Sequence, residues 1–223
     1  YRNGKEEAQG ISDIIEQKIK NNYSLNDVSI LVRAIYQTRE FEERFLQLGI
    51  GYRVLGGTKF YERAEIKDAV SYLRIINQKF DDLALERVIG APKRGIGEST
   101  LSQIHTFSKA NKLSLEDAIM KMLEKGEFKP KIKTSLNQLI NMIHKWRKDS
   151  ANLKHYDLLK LILDESGYSS MLKNKKDLEN ENRLENLKEL LRAMQDYESL
   201  QSFLEHVALA TSIDQEWEDA KIN

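Results

Sequence analysis

Apolar residues along this chain recur mostly at three- and four-residue steps, the spacing that gathers them on one face of an α-helix. In "KEEAQGISDIIEQKIKNN" that step aligns Ile11, Ile14, Ile15 and Ile19. In "TREFEERFLQLGI" it aligns Phe41, Phe45 and Leu48, and Gly49 supplies the stop. Two short β-rich runs interrupt the helical pattern, "DVSILVRA" and "YRVLGG". The order helix, strand, helix, strand predicts a fragment of a parallel α/β sheet. From about Glu62 the strand signal ends, and helix follows helix: "ERAEIKDAVSYLRIIN", "DDLALERVI", "ESTLSQIHTFSKAN", "SLEDAIMKMLEK", "KTSLNQLINMIHKWRKDS", "YDLLKLILDESG", "RLENLKELLRAMQDY" and "SLQSFLEHVALAT". This change of pattern predicts a domain boundary near Gly56 and Gly57. Nothing recurs at a fixed period, so a solenoid is not expected.

Composition narrows the class. With 223 residues, 40% of them apolar, the chain can fill a sizeable core, while 31% charged residues and the lack of long apolar runs disfavour a membrane span. The absence of cysteine removes disulfides, thiolate metal sites and cysteine nucleophiles, and suits a reducing, cytoplasmic setting. His105, His144, His155 and His206 are scattered without ligand spacing, so no metal site is expected. The net charge of zero hides a partition: residues 91–150 carry 12 Lys/Arg against 6 Asp/Glu, and residues 151–223 carry 9 against 15. A basic surface on the middle third can attract phosphate although the whole chain is neutral. Solvated lysines on helix faces would give the same count.

The basic third opens on "ERVIGAPKRGIGESTL", where Gly90, Pro92, Gly95 and Gly97 break two helical runs. A Gly95-Ile96-Gly97 turn placed directly before a helix exposes backbone N–H groups at the positive end of the helix dipole, which is a setting for an anion. Ile96 would anchor the turn inward. Lys93 and Arg94 would flank a phosphate oxygen, and Ser99 or Thr100 could add a hydroxyl. The competing reading is an ordinary glycine-capped connector. No GxxxxGK[ST] loop occurs in the chain, so nucleotide phosphates are a poor candidate ligand.

Other conspicuous residues have bland readings beside the functional ones. Phe60 and Tyr61 could stack on bases, but aromatic residues near a domain junction are more often core. Trp146 falls at helical spacing from Met142 and Ile143 and reads as packing, while Arg147 and Lys148 beside it could extend a phosphate track. The acidic run "DQEWED" reads as a solvated linker rather than a metal site. Glu62, Glu65 and Asp68 alternate with Arg63 and Lys67 and read as surface ion pairs along one helix.

The run "LVRAIYQTREFEERFLQLGIGYRVLGGTKFYERAEIKDAVSYLRII", followed by "DDLALERVIGAPKRGIGESTL", resembles the UvrD/PcrA/Rep group of superfamily 1 DNA helicases. The likeness continues through "DESGYSSML", "RLENLKELL" and "SLQSFLEHVAL" and covers nearly the whole chain. It implies a mainly α protein: residues 1–56 would be part of the RecA-like motor domain called 2A, and 57–215 the all-helical 2B domain. Residues 216–223 would return towards 2A. In that family the GIG turn, similar to a helix-hairpin-helix, contacts the backbone of duplex DNA, which would assign Lys93, Arg94, Gly95, Ile96, Gly97, Ser99 and Thr100 to DNA binding. Lys59, Phe60, Tyr61 and Arg63 become candidates for DNA or interdomain contact.

Two departures qualify the likeness. "IYQTRE" stands where relatives carry Asn-Ala-Gln-Ser-Arg, which leaves Gln37 and Arg39 as mainly structural residues. The phosphate-binding loop, the Asp-Glu magnesium motif and the Thr-x-His-x-x-Lys-Gly motif are not in these residues, so the chain alone is expected to have no catalytic residues, no cofactor and no ATPase activity. ATP and Mg would belong to a parent bacterial helicase acting 3′ to 5′ in repair or replication, with domains 1A, 1B and the rest of 2A as partners. Duplex DNA at a single-strand junction is the expected ligand, self-association a further candidate, and no membrane partner is expected. The alternative function is a helical protein-interaction module without DNA contact.

Overall fold

The computed structural model describes residues 1–174 and 177–219, the side chains of 214–219 excepted. Two compact units divide the chain, Tyr1–Arg63 with His206–Asn223, and Ala64–Glu205. Among the described residues no helix is long and apolar enough to cross a membrane.

In the first unit, α1 (Gly4–Lys20) packs on α2 (Thr38–Leu48). The Asn3 carboxamide oxygen accepts the Glu6 N–H at 2.9 Å and starts α1, and Gly49, at φ 66°, closes α2 in the left-handed region that glycine enters freely. Ala8, Ile15, Phe41, Phe45 and Ile50 form the core of this pair, with Ile11, Val28, Ile30, Leu48 and Tyr52 packed around it. Ile14 and Ile19, expected on the same buried stripe, are instead 51% and 41% exposed.

The two expected strands do not form: among the described residues there is no strand. Val28 and Ala34 do have extended dihedrals, but residues 28–33 and 50–54 join no ladder. Their β-branched composition favours extended backbone, whereas a strand also requires a neighbour to accept its N–H and C=O groups. Val28 and Ile30 pack inward while Leu31 is 97% exposed, which is the alternation of a one-sided strand without its sheet.

Residues 57–63 belong with this first unit although the change of pattern begins before them. Two adjacent carboxylates explain why. Glu42 accepts the Phe60 N–H at 2.8 Å and the Tyr52 hydroxyl at 3.2 Å, and it pairs with Arg63 at 3.5 Å. Glu43 accepts the Tyr61 hydroxyl at 2.5 Å and pairs with His206 at 2.7 Å. Burial pushes the Glu42 carboxyl above its ordinary range. Burial pushes Glu43 the same way, but the interactions with His206, the Tyr61 hydroxyl and the Arg39 charge together outweigh it and hold that carboxyl low.

The second unit is built around α3 (Ala64–Asn77), whose Ile66, Ala69, Tyr72 and Leu73 are fully enclosed. Around it pack α4 (Asp82–Gly90), α7 (Pro130–Asp149), α8 (His155–Glu165) and α10 (Leu178–Met194). The pair α5 (Glu98–Asn111) and α6 (Leu115–Lys125) packs mainly on itself, with α6 touching α4 and α7. The short α9 (Tyr168–Lys173) joins α8 and α10, and α11 (Leu200–Asp219) begins here and continues into the first unit. Asp81, Ser114 and Asp177 cap α4, α6 and α10 with side-chain oxygens. Backbone helix continues to Asp219; the acidic side chains of 214–219 and residues 220–223 of the expected return segment lie outside the described residues.

The acidic residues of α3 are not local surface pairs, as i, i+4 spacing suggested. Glu65 is buried and accepts the Asn186 amide at 2.6 Å from α10, and Asp68 accepts Arg87 Nε of α4 and the Tyr168 hydroxyl of α9, each at 2.6 Å. Spacing along one helix gives the reach of neighbours on that helix and says nothing of partners brought by another. Arg147 likewise points inward rather than along a phosphate track: it forms a bidentate pair with Glu116 and donates to the Ile75 carbonyl. Trp146 is fully buried, edge-on to Tyr72, as its spacing predicts.

Candidate nucleic-acid interface

The α4–α5 connection carries the exposed backbone that the sequence singled out. Helix α4 ends at Gly90, a cis Ala91–Pro92 bond follows, and Gly97 is the N-cap of α5. Gly95 sits at φ 74°, where a residue with a Cβ is strained, so the backbone itself favours glycine there. Gly97 has φ −95° and ψ 174°, an ordinary extended conformation, and a Cβ added there would meet nothing within 4 Å. Nothing in the backbone or its surroundings therefore demands glycine at this position.

Gly97 gives α5 no side-chain cap, and its carbonyl already accepts Thr100 N–H at 3.0 Å and Leu101 N–H at 3.1 Å. The first N–H groups of a helix have no i−4 acceptor, and with Thr100 N–H already taken this leaves the Glu98 and Ser99 amides at the positive pole of the α5 dipole. Lys93, Gly95, Gly97 and Ser99 are exposed, and Ile96 is half-buried. Thr100 is 7% exposed, which leaves Ser99 as the accessible hydroxyl. Glu98 is also exposed in this first turn and would compete with an anion for the same amides.

Arg94 is turned away from this face. Its guanidinium donates to the carbonyls of Val88, Ile89 and Pro92 and, at 2.7 Å, to the Tyr72 hydroxyl. A cation the sequence did not reveal lies alongside instead: Lys131 places its Cε 3.9 Å from where a Gly95 Cβ would stand. Lys131 is an exposed residue in the first turn of α7, which contains no acidic residue. The signal available in the sequence was the "KPKIK" cluster, whose meeting with the turn depends on how α7 packs. An α4–α5 link at the other side of the turn is the 3.1 Å contact of His105 with Glu86.

Lys59, Phe60, Tyr61 and Arg63 are all buried. Lys59 sits 5.2 Å from the Tyr52 ring centroid, Phe60 meets Tyr61 edge-on, and Arg63 donates to the Ile35 carbonyl and the Thr38 hydroxyl. With Phe60 at 1% and Tyr61 at 6% exposure, neither ring offers a face to a base, and packing is what the structure gives these aromatics. Gln37 accepts the Ala34 N–H, and Arg39 is buried against Glu40. Among the described residues, no three His, Asp or Glu side chains gather as a metal site would need.

The chain matches the UvrD-like helicase C-terminal domain over residues 1–223 and belongs to that family. A probable DNA helicase II homolog of Rickettsia felis is 40% identical over 206 residues, covering 92% of this chain and 32% of the relative. The ATP-dependent DNA helicase PcrA of Staphylococcus epidermidis is 35% identical over 219 residues, 95% of this chain and 30% of the relative. PcrA of Staphylococcus aureus is 34% identical over the same length. The chain thus spans about a third of the length of these relatives.

Proposed function

We propose that this chain is the duplex-holding, regulatory portion of an ATP-dependent 3′–5′ DNA helicase that acts in the cytoplasm. In this reading residues 1–56 are part of the 2A motor domain, the helical unit is the 2B domain, and the α4–α5 turn is a helix-hairpin-helix-like contact with duplex backbone near a single-strand junction. The supporting observation is the uncapped α5 N-terminus, with glycine at a position whose backbone does not require it and open space where phosphate would approach. Lys93, Gly95, Gly97 and Ser99 form the contact, with Lys131 beside it and Ile96 and Thr100 supporting it from within. Such contacts position a protein on a duplex without reading sequence. ATP and Mg²⁺ are assigned to other parts of a longer protein, because the sequence holds no phosphate-binding loop motif.

Titration of the protein against blunt duplex at several salt concentrations tests this reading. Binding should weaken linearly on a log–log plot with a slope of about −0.9 for each phosphate contacted. Absence of duplex binding at low salt would point instead to the protein-interaction module.

A further inference from the structure

We propose that Arg94 and Tyr72 form a latch that fixes the shape of the α4–α5 turn, so that Arg94 serves duplex binding as a positioning residue and not as a phosphate contact. The inference rests on the duplex-binding reading above. It turns on where one guanidinium points.

The last carbonyls of α4 lack intrahelical donors, and they mark the negative end of the α4 dipole. Ala91 N–H satisfies Arg87 O at 3.1 Å. Arg94 reaches back from beyond the helix end and donates to Val88 and Ile89, then to Pro92 O at 3.0 Å within the turn itself. Both the charge and the fork of donors suit this place: Nη1 meets all three carbonyls while Nη2 reaches Tyr72, so two rigidly joined nitrogens hold separate partners at once. A lysine could carry the charge but not the fork.

The second half of the latch comes from α3. The Tyr72 hydroxyl accepts from Arg94 Nη2 at 2.7 Å and donates to Ala91 O at 2.7 Å. Tyr72 is fully buried and its ring stands edge-on to Trp146 of α7, 5.8 Å away. Burial, against the opposing charge of Arg94, keeps this phenol protonated far above neutral pH and therefore able to donate. Residues 91–94 are thus tied at two points to the enclosed centre of the helical unit, immediately before the backbone that turns outward at Gly95. Releasing either tie frees the peptides that precede the proposed phosphate amides. Pre-organised donors bind better than mobile ones because the cost of ordering them is already met.

The experiment compares Arg94→Ala, Arg94→Lys, Tyr72→Phe, Lys93→Ala and Gly97→Asp with the unaltered protein. Each is titrated with blunt duplex over a range of salt, well below its own melting midpoint. Tyr72→Phe keeps the ring packing and removes only the hydroxyl. The latch predicts that both Arg94 variants and Tyr72→Phe raise the duplex Kd by roughly threefold to tenfold, as expected for losing about one net hydrogen bond's worth of order. It also predicts an unchanged salt slope in these three, whereas Lys93→Ala should flatten the slope by about 0.9. A purely structural role would lower melting midpoints without changing the Kd of the folded protein. Rescue by Arg94→Lys, a flattened slope in Arg94→Ala, or wild-type affinity in Tyr72→Phe would overturn the latch. If Gly97→Asp also binds like the unaltered protein, the duplex reading itself falls and the latch with it.

Discussion

Glu116→Ala should lower the unfolding free energy by about 3–5 kcal/mol, the cost of breaking a buried ion pair by removing one partner. Glu116 lies in the first turn of α6 with 1% exposure. Its two oxygens accept Arg147 Nη1 and Nη2, each at 2.6 Å, and one of them also meets His144 Nε2 at 3.1 Å. Arg147 donates in addition to the Ile75 carbonyl near the end of α3, at 3.0 Å from Nε and 2.8 Å from Nη2. One carboxylate therefore fastens α6 to α7, and through Arg147 to α3. The Arg147 side chain retains 20% exposure, so water softens the loss and the lower end of the range applies. For a chain of this length that corresponds to a fall of roughly 6–12 °C in melting midpoint. Thermal unfolding followed by circular dichroism measures it. A shift under about 2 °C would mean that apolar packing alone holds these helices together.

Gly97→Asp should separate stability from DNA binding. Aspartate is among the preferred N-cap residues, and the backbone at Gly97 already has the extended conformation of a cap. The new carboxylate would accept the Ser99 N–H of α5, leaving the melting midpoint unchanged or slightly raised. The same carboxylate would occupy the amides assigned to phosphate and set a negative charge against the duplex. Like charges brought together at an interface cost several kcal/mol, so duplex affinity should fall more than tenfold. Single-strand binding should change much less. Equal duplex affinity at every salt concentration would make the turn a connector between two helices.

What could be read from sequence divides along a physical line. Helices were legible because their signal is local: the period of Ile11 and Ile15 and the stop at Gly49 lie within a few residues of what they control. Trp146 was legible as core for the same reason. The strands were misjudged because "DVSILVRA" specifies an extended backbone but not the neighbour that would make it a strand. Glu65, Asp68 and Arg147 were misjudged because their partners Asn186, Tyr168 and Glu116 come from other helices. At the turn, the sequence showed the exposed glycines but not the direction of Arg94, whose acceptors are created only when α4 ends. Lys131 enters the site only through the packing of α7, and no spacing in the sequence announces it.

A single-site cross-link shows whether the α5 N-terminus lies against duplex backbone. The sequence contains no cysteine, so Ser99→Cys places one unique thiol at the exposed start of α5, and Gln201→Cys places a reference thiol on an exposed position of α11. Each variant is labelled with a photoactivatable maleimide, mixed with blunt duplex at low salt and irradiated. Strong cross-linking is expected from position 99, lost on raising the salt or adding unlabelled duplex, and little from position 201. Cross-linking from position 201 that equals or exceeds that from position 99, with duplex bound in both samples, would contradict a duplex contact at the α5 N-terminus.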